Sequence, residues 1–576
     1  MLCRLQKSLL SRAQLYRKYA TRSMSLRSSP RQRIAVPQEL TVRLTDDEDR
    51  LCTLLDDCAN YLRDEKGITT SCRIAGGWVR DKLLGSQSND IDVALSDVLG
   101  LTFAEHLAEF AKERGEEMGA IGQIKANPNQ SKHLATATCK IHGYDVDLVN
   151  LRSEEYATDS RIPTEMAFGT PLQDALRRDI TINALFYNIH ERAVEDFTEK
   201  GMQDLRNGIV RTPLPPRETF LDDPLRVLRC LRFATRFGFD IVPELVEAAK
   251  DPVVQQALVS KISRERVGEE FTKMMKGADP VRAVELIDEY GLYPAIFNAV
   301  VPPATLPKWS GQPASPTRAL ASTIILRAVL AGSSLLPPVD PAIVAPVSAD
   351  PTARPRLYLA CALSPYLGLT YMAKKKEAPA VECVIRECLK LGVQNHFLDG
   401  VPLLFTAVDV LRNPVFGSER LTMSSERLAI GSLLRHPSVH NRRCGIVWTE
   451  SVLFALVTEL SAHYDPAKDE LDSTQAARII TTYNAFARRV EELDLGGAGD
   501  ARPILDGREV VSLLGAAKPG PWTGAVLARV VDWQLEHPEG AKDACAAWLK
   551  DEHAAGRLEV DLSSGEPPAK KVKKSR

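Results

Sequence analysis

Apolar residues recur with two different periods along the chain. In its first third, short apolar runs at Cys72–Ala75 and 91–95 predict strands, residues 103–112 have helical spacing, and Gly143 divides a further apolar segment into a predicted hairpin. After Pro224 the helical period dominates. The pattern therefore predicts an α+β protein, in which an N-terminal mixed sheet with helices is followed by an extended all-α region.

One segment interrupts the helical part. Residues 301–355 are rich in proline and carry a Ser-Ser and a Pro-Pro pair, and the centre of this segment is predicted to be an exposed inserted loop. Helical spacing resumes beyond it and continues to about Lys550. We expect ordered sequence from about Leu44 and a helical body and tail over residues 356–555.

Composition excludes several classes of protein. The chain has 576 residues, 44% hydrophobic and 26% charged, so it is neither fibrous nor wholly disordered. Its formal net charge is −2, so any surface that binds nucleic acid must be a local basic one. No uninterrupted run of about 18 apolar residues occurs, and the nearest, 357–373, is broken by Ser364 and Pro365 and predicts a buried helix. We therefore expect no membrane-spanning segment.

Both ends resemble targeting signals. Residues 1–38 carry nine Lys or Arg and no acid, with apolar residues at helical spacing, which is typical of a mitochondrial transit peptide; a disordered basic tail is the alternative. Translation from Met24 would leave the protein outside mitochondria. The tail 556–576 contains the basic run 570–574, which resembles a nuclear localisation signal or is simply a solvated disordered tail. We expect mitochondrial, cytoplasmic and nuclear forms.

The first candidate site combines glycines with acids. Gly76 and Gly77 end a predicted strand and begin a predicted helix, where backbone N–H groups can approach phosphate. Asp90 and Asp92 follow on the next strand, and their i, i+2 spacing directs both carboxylates to one face. Carboxylate and phosphate oxygens are the ligands that Mg²⁺ prefers. Asp-x-Asp alone is a weak signal, since a turn can hold such a pair, but its position after a glycine turn strengthens it.

A third carboxylate is expected on the following strand. Asp145 and Asp147 again have same-face spacing, and we favour Asp147 as the group that orients an attacking hydroxyl near the metals. The alternative is the polar face of an edge strand.

A later helix combines one acid with several arginines. Pro224 suits the first position of a helix, which makes Asp223 its predicted N-cap. Arg226, Arg229 and Arg232 then lie on roughly one face. A carboxylate and a guanidinium one turn apart can hydrogen-bond the edge of a base; a capped surface helix with a basic stripe is the alternative.

Taken together, these motifs resemble a known family. The pattern Gly76-Gly77-x-x-Arg80-Asp81 followed by Asp90-x-Asp92 is similar to the signature of the polymerase-β-like nucleotidyltransferases, and the class II CCA-adding tRNA nucleotidyltransferases match best. The family's second to fifth motifs are matched in order by residues 177–184, 204–212, 222–226 and 263–266. One departure is Asp222, where the family often has glutamate; the charge is kept and the reach shortened.

The resemblance implies a polymerase-β-like head over residues 44–212 and a helical neck with a nucleotide-selecting helix over 213–300. The helical body and tail would hold the acceptor arm and elbow of tRNA. The activity implied, of eukaryotic type, is template-independent addition of C, C and A to the 3′ end of tRNA from CTP and ATP, with Mg²⁺ held by Asp90 and Asp92 and pyrophosphate released. A poly(A) polymerase of the same superfamily is the alternative enzyme, and a catalytically inactive tRNA-binding protein the alternative outside enzymes.

The resemblance also assigns residues. Asp90, Asp92 and Asp147 would be catalytic. A polar segment, residues 151–169, resembles the family's flexible loop that switches from CTP to ATP addition. The nucleotide would be bound by Gly76, Gly77, Arg80, Asp81, Arg152, Arg178, Asp179, Asn183, Asp223, Arg226, Arg229 and Arg232.

Overall fold

The structure, a computed structural model, describes residues 25–27, 33–124, 136–156, 163–299, 309–373, 375–412, 414, 426–516 and 518–558. The chain forms two compact units. The N-terminal unit comprises Ser28–Thr323 and Leu369–Gln394, and the C-terminal unit comprises Met1–Arg27, Ile324–Gly368 and Asn395–Arg576. This division differs from the predicted domain boundaries, because a segment late in the chain belongs to the N-terminal unit.

A seven-stranded mixed sheet dominates the first part of the N-terminal unit, as predicted. Its spatial order is β3-β4-β5-β2-β1-β8-β9, with β2 and β5 parallel and the other neighbours antiparallel. The strands are β1 (Cys72–Ala75), β2 (Asp90–Leu95), β3 (Gly122–Ile124), β4 (Thr136–Ile141), β5 (Tyr144–Asn150), β8 (Phe186–Asn188) and β9 (Ala193–Glu195).

Helices accompany this sheet. Local sequence signals fix both ends of the first helix. Thr45 and Glu48 form a capping box at its N-terminus, and Gly67 adopts φ 68° after its last turn. The helices are α1 (Asp46–Lys66), α2 (Gly77–Leu83), α3 (Gly100–Glu113), α4 (Pro171–Leu176) and α5 (Gly201–Asn207), with a 3₁₀ turn at Thr181–Asn183.

The segment expected to be a loop after β5 is instead a hairpin. Strands β6 (Arg152–Tyr156) and β7 (Pro163–Phe168) pair antiparallel, and the tip between them lies outside the described residues. Its polar composition suggested a loop, but cross-strand backbone hydrogen bonds form whatever the polarity of exposed side chains. The prediction of a loop was wrong for the described residues.

The helical neck follows the sheet, as predicted. The helix expected over 223–237 begins at Leu225, and its N-cap residue is Pro224 and not Asp223 as predicted; the Asp223 carboxylate accepts the Leu225 N–H at 3.2 Å. The helices are α6 (Pro216–Asp222), α7 (Leu225–Phe237), α8 (Pro243–Lys250), α9 (Pro252–Lys261), α10 (Arg264–Met275), α11 (Pro280–Glu289) and α12 (Tyr293–Phe297), and the short strands β10 (Ile209–Val210) and β11 (Asp240–Ile241) pair in parallel.

The exposed loop predicted for the centre of residues 301–355 corresponds to the irregular connection 331–340, and helices flank it where the structure describes this segment. Helix α13 (Thr317–Leu330) buries Ile324, Ile325 and Leu326, and helix α14 (Pro341–Ala349) follows with proline at its first position. Proline is tolerated in the first turn of a helix, so a proline-rich composition does not by itself exclude helices. Residues 309–316 and 350–352 are irregular as well among the described residues of this segment.

The remaining elements are mainly helical, with two small hairpins. Helix α15 ends at Ala362, so residues 357–373 are not one helix, and no helix among the described residues is long and apolar enough to cross a membrane. The strand pairs are β12 (Thr370–Ala373) with β13 (Lys376–Pro379) and β14 (Tyr464–Asp465) with β15 (Glu470–Leu471). The helices are α15 (Ala353–Ala362), α16 (Ala380–Cys383), α17 (Phe397–Leu411), α18 (Glu426–Leu434), α19 (Trp448–Ser461), α20 (Ser473–Glu492), α21 (Gly507–Leu513), α22 (Trp522–Glu536) and α23 (Lys542–Ala554).

Order begins earlier than residue 44. Leu26 is buried, and the Arg27 backbone N–H donates to Asp469 at 3.0 Å within the C-terminal unit. In the N-terminal unit the Ile34 N–H donates to the Phe237 carbonyl at 3.1 Å. Part of the segment predicted as a transit peptide or disordered tail therefore contacts the folded chain; residues 1–24 and the tail 559–576 lie outside the described residues.

Candidate active site

Strand register brings the predicted carboxylates together. Because β2 and β5 are parallel neighbours, Asp90 lies beside Asp145 and Asp92 beside Asp147. Cross-strand neighbours direct their side chains to the same face of a sheet. Ile91 is buried on the opposite face. The expected catalytic set, Asp90, Asp92 and Asp147, therefore shares one face.

The neighbouring carboxylates in this row repel one another. Asp92 is an exposed residue whose side chain faces a cavity, and the protein atoms packed around its carboxylate bury that group in part. This burial first, and then the neighbouring Asp90 charge, raise the pKa of the Asp92 carboxyl to about 6, against the opposing effect of Arg178; Asp147 raises it further. A cation placed between these carboxylates would relieve the repulsion.

Asp145 and Asp147 differ in their partners. The Lys140 ammonium forms an ion pair with Asp145 at 2.7 Å, whereas Asp147 is the register neighbour of Asp92 and acts on its charge. This arrangement favours Asp147 over Asp145 as the third acid, as the sequence had suggested.

Two carboxylates supply only part of the coordination shell of a hard divalent ion. Across the described ranges, no three or more His, Cys, Asp or Glu side chains converge as metal ligands. Asp90 and Asp92 would therefore supply part of a coordination shell, and phosphate oxygens and water the rest. That division suits an ion that keeps several waters and binds through one or two carboxylates plus substrate phosphates.

The glycine turn lies at the end of β1. Gly76 adopts φ 75° and ψ −125°, and α2 begins at the next residue. The positive φ favours glycine at this position, and a Cβ there would come 2.8 Å from Nη1 at the end of the Arg178 side chain. The turn thus leaves backbone open toward the cavity beside Asp92.

That cavity has a volume of about 680 Å³ and a strongly positive wall. Nine arginines and three aspartates line it, which suits a polyanion such as a triphosphate. Its lining is Gly76, Gly77, Arg80, Asp92, Thr136, Val149, Asn150, Arg152, Arg177, Arg178, Asp179, Asn183, Asp223, Arg226, Arg229, Arg232, Phe233, Arg236 and Arg266. Nearly every residue predicted to bind a nucleotide is among them.

Buried acids orient two of these arginines from behind. Asp174, on α4, is 1% exposed and accepts from Arg177 Nε at 2.8 Å and from Arg178 Nη2 at 2.8 Å. Burial alone would raise the pKa of Asp174, but the two guanidinium groups lower it below its ordinary value. Asp174 therefore stays ionised and fixes both arginines.

Asp179 plays the same part for α7. Its carboxylate accepts from Arg229 Nε at 2.7 Å and from the Asn183 amide at 3.1 Å. Burial would raise its pKa, but Arg229 and the hydrogen bonds lower it. The sequence predicted nucleotide contacts for Asp179; in the structure it holds an arginine that lines the cavity.

Arg80 and Asp81 form one unit. The Arg80 guanidinium is buried, donates to Asp81 at 2.9 Å and also donates to the Asn183 side chain. It stacks on the Phe237 ring at 5.0 Å from the centroid. Asp81 is not part of the cavity wall and acts through Arg80.

The two residues expected to read the base share a backbone hydrogen bond, from the Arg226 N–H to the Asp223 carbonyl at 3.0 Å, but their side chains bond to different partners. Asp223 accepts from Arg266 Nη2 at 2.9 Å. Arg226 donates to the carbonyls of Thr219 at 3.3 Å and Arg177 at 2.5 Å. Both line the cavity, but each is positioned by its own partners.

Comparison with known proteins agrees with this geometry. Residues 72–211 match the family model described as the poly(A) polymerase head domain, and residues 238–302 match the probable RNA and SrmB-binding site of polymerase A. The mitochondrial CCA tRNA nucleotidyltransferase of Saccharomyces cerevisiae is 36% identical over 532 residues, covering 88% of this chain and 93% of that protein. The chain belongs to the CCA tRNA nucleotidyltransferase family.

The enzyme of the same name from Candida glabrata is 36% identical over 529 residues, covering 88% of this chain and 96% of that protein. A solved CCA-adding enzyme in its apo form aligns with a TM-score of 0.57 over 89% of this chain and 97% of that one, at 17% identity, and so supports the fold. The α+β architecture predicted from the sequence is confirmed.

Several residues that form or support the cavity wall were not predicted from the sequence. Asp174 precedes Arg177 and Arg178 by three and four residues, a helical ion-pair spacing that the sequence does show. Glu270 accepts from Arg232 at 2.6 Å across 38 residues, and no local signal could have indicated that contact. Arg236 continues the basic face of α7 and lines the cavity.

Proposed function

We propose that this chain adds C, C and A in turn to the 3′ end of tRNA, using CTP and ATP without a nucleic-acid template. The observation that carries the proposal is the arginine-lined cavity of about 680 Å³ whose wall includes Asp92, the centre of the carboxylate row. The relatives from Saccharomyces cerevisiae and Candida glabrata, which this chain matches over most of its length, are named for that activity.

The reaction is a nucleotidyl transfer in which the tRNA 3′-hydroxyl attacks the α-phosphate and pyrophosphate leaves. Gly76 and Gly77 offer backbone N–H groups to the triphosphate, and Arg80 and Arg178 bind its charge. Asp147 orients the attacking hydroxyl. When bound at Asp90 and Asp92, Mg²⁺ lowers the pKa of the hydroxyl and offsets charge on the departing pyrophosphate.

Selection of the base falls to α7 and its surroundings. Asp223 and Arg226 present an acceptor and a donor to the base edge, while Arg229 and Arg232 contact base or phosphate. Asp179 and Asn183 contribute to nucleotide binding chiefly by positioning Arg229 and Arg80. Arg152, at the base of the β6–β7 hairpin and in the cavity wall, would take part in the change from CTP to ATP.

The helical region 356–555 would hold the acceptor arm and elbow of tRNA. Duplex RNA exposes little readable sequence, so shape and backbone charge would govern this contact.

The direct experiment offers a tRNA that lacks CCA with CTP alone, ATP alone and both together. We expect two residues to be added from CTP, none from ATP alone, and three from the mixture. Repeated ATP addition to unrelated RNA would instead favour a poly(A) polymerase. Absence of any addition in the presence of Mg²⁺ would favour a tRNA-binding protein without catalysis.

A substitution tests the metal assignment. Asp90→Ala or Asp92→Ala should abolish addition of both C and A, because loss of the metal site removes several kcal/mol of transition-state stabilisation. Binding of tRNA, measured by filter retention, should be nearly unchanged. Asp64→Ala, on the exposed face of α1, is the matched control. Near-normal turnover of either variant would remove Asp90 and Asp92 from the metal site.

The protein would be imported into mitochondria through the basic segment 1–38, as the names of the two relatives support. Translation from Met24 would yield cytoplasmic protein, and the basic run 570–574 would direct a fraction to the nucleus.

A further inference from the structure

A second cavity lies beside the carboxylate row, on strands β3 to β5. Its volume is about 290 Å³. It is lined by Gly119, Ala120, Gly122, Thr138, Cys139, Lys140, Asp145, Val146 and Asp147. None of the predicted nucleotide-binding residues contributes to it.

Strand register connects this cavity to the nucleotide cavity through a single row of side chains. Asp92 pairs with Asp147, Asp147 pairs with Thr138, and Thr138 pairs with Gly122. Residues paired across strands share a face and have Cβ atoms about 4.5–5.5 Å apart. The second cavity therefore adjoins the carboxylate row at Asp147, whereas the arginine cavity reaches Asp92 and, further along β4 and β5, Thr136 and Val149.

The two cavities differ in charge. The nucleotide cavity carries nine arginines, whereas the charged side chains of the second are Lys140, Asp145 and Asp147, and Lys140 is already paired with Asp145 at 2.7 Å. A triphosphate gains nothing by entering the second cavity. A neutral, hydroxyl-bearing group such as a sugar fits it.

Gly122 and Thr138 form the floor of this space. A Cβ at Gly122 would lie 2.7 Å from the Thr138 Oγ1, so glycine is needed for that hydroxyl to keep its position. Among the residues that the structure describes, the hydroxyl makes one hydrogen bond, a long one of 3.4 Å, to the Gly122 carbonyl. It can therefore turn to a stronger partner in the cavity.

We propose that this second cavity binds the ribose of the terminal nucleotide of the tRNA acceptor end, and that Thr138 hydrogen-bonds its 2′-hydroxyl while Asp147 binds the adjacent 3′-hydroxyl. The proposal rests on the proposed function and names the subsite for its second substrate. In-line attack requires the hydroxyl to approach the α-phosphate from the side opposite the pyrophosphate, and the arginines proposed to bind the triphosphate, Arg80 and Arg178, line the other cavity. The vicinal hydroxyls of a ribose match two neighbouring cross-strand side chains.

The consequence is that Thr138 makes the enzyme select RNA ends over DNA ends. The 2′-hydroxyl is the group by which a protein tells RNA from DNA at a given site. One hydrogen bond of this kind changes kcat/KM by roughly three- to tenfold.

The test compares two tRNAs that end at the second C and differ only in a 2′-hydroxyl or a 2′-hydrogen on the terminal sugar, both with an intact 3′-hydroxyl. ATP addition is measured as kcat/KM for tRNA with the unmodified enzyme and with Thr138→Val, Thr138→Ser and Thr53→Val. Thr53 is exposed on α1 and serves as the matched control. KM for ATP and the melting temperature report the integrity of each variant.

We expect the unmodified enzyme, Thr138→Ser and Thr53→Val to prefer the ribose end by roughly three- to tenfold, and Thr138→Val to lose the preference with KM for ATP unchanged. Equal use of both ends by the unmodified enzyme, or a preference that survives in Thr138→Val, overturns the proposal. Should Thr138→Val fold poorly, a preference that is absent from Thr138→Ser overturns it as well. Failure of the unmodified enzyme to extend even the ribose end would instead refute the proposed function.

Discussion

Single carboxylates that remain ionised although buried hold the arginines of the nucleotide cavity in place. Asp179 is 7% exposed, and its ion pair with Arg229 has an Nη2 to Oδ2 distance of 2.6 Å. Without that guanidinium, burial would favour the neutral acid. The charge of the cavity therefore depends on ionised acids that hold its arginines in place.

Replacing Arg229 by methionine should change the pH dependence of stability. In the unmodified protein the lowered pKa of Asp179 stabilises the fold above about pH 4, and this stability is lost as the pH falls through that pKa. In Arg229→Met burial remains, so the pKa of Asp179 should lie above its ordinary value and the penalty should grow as the pH rises from about 4. At pH 7 we expect a loss of about 2 kcal/mol, less than for a fully buried pair because Arg229 is 34% exposed.

Thermal melting between pH 4 and 7 measures this effect. The gap in melting temperature between the two proteins should shrink as the pH falls. Addition of Asp179→Asn to Arg229→Met should narrow the gap at pH 7, because no charge is then left unpaired. A gap that does not depend on pH would contradict the role given to Asp179.

Nucleotide choice is also decided at single residues. Asp223→Ala or Arg226→Ala should relax discrimination against UTP and GTP more than it slows transfer, because unpaired polar groups in a site built for a given base cause the rejection of others. Arg80→Ala should slow all four nucleotides alike, since they share the phosphates. The measurement is kcat/KM for each nucleotide, with Arg63→Ala on the exposed face of α1 as control. Unchanged selectivity ratios in Arg226→Ala would mean that the base is read elsewhere.

At the scale of elements, α10 carries two of the partners that set the cavity wall, Arg266 and Glu270. Between them Gly268 packs against the backbone of Leu389, from the returning segment of the N-terminal unit; a Cβ there would overlap the Leu389 carbonyl oxygen and lie 2.8 Å from its carbon. This close backbone contact fixes the position of the helix.

Gly268→Ala should therefore displace α10. We expect a loss of about 1–3 kcal/mol from overpacking and a higher KM for CTP and ATP, because Arg266 and Glu270 move with the helix. Gly524→Ala, within α22 where a Cβ meets nothing within 4 Å, is the control and should be neutral or slightly stabilising. Thermal melting measures the loss of stability, and steady-state kinetics measure the change in KM. A Gly268→Ala protein that is as stable and active as the unmodified one would contradict this packing.

At the scale of the whole molecule, the chain near its N-terminus contributes to the C-terminal unit. Arg327 donates to the carbonyls of Leu26 and Arg27 at 3.0 and 2.9 Å, and Asp469 accepts the Arg27 N–H. A protein that starts at Met24 keeps all these contacts.

Two truncations separate targeting from folding. Removal of residues 1–23 should abolish mitochondrial import and leave activity and melting temperature unchanged, because the basic, acid-free segment precedes every contact described. Removal of residues 1–27 should in addition cost about 1–3 kcal/mol, since Leu26 is buried. Cell fractionation and thermal melting measure the two effects. Mitochondrial protein starting at Met24 would disprove the import signal.

The sequence by itself determined the head and the location of its chemistry. The Gly76-Gly77 turn, the Asp-x-Asp spacing and the hairpin at Gly143 are local patterns, and local geometry is enough to place Asp90 and Asp92 on one face of a strand. The period of α7 likewise placed its arginines on one face, because a helix needs no distant partner to set the direction of its side chains.

Only the tertiary structure decided the contacts between distant segments. The pairing of β6 with β7 could not be predicted, because a polar segment can form paired strands as well as a loop. The helices within 309–355 could not be predicted either, because a proline-rich segment can contain helix starts. The partners of Asp223 and Arg232 lie 43 and 38 residues away, and no local spacing encodes them. The row from Asp92 to Thr138 depends on strand order and register, which cooperative packing of the whole sheet fixes.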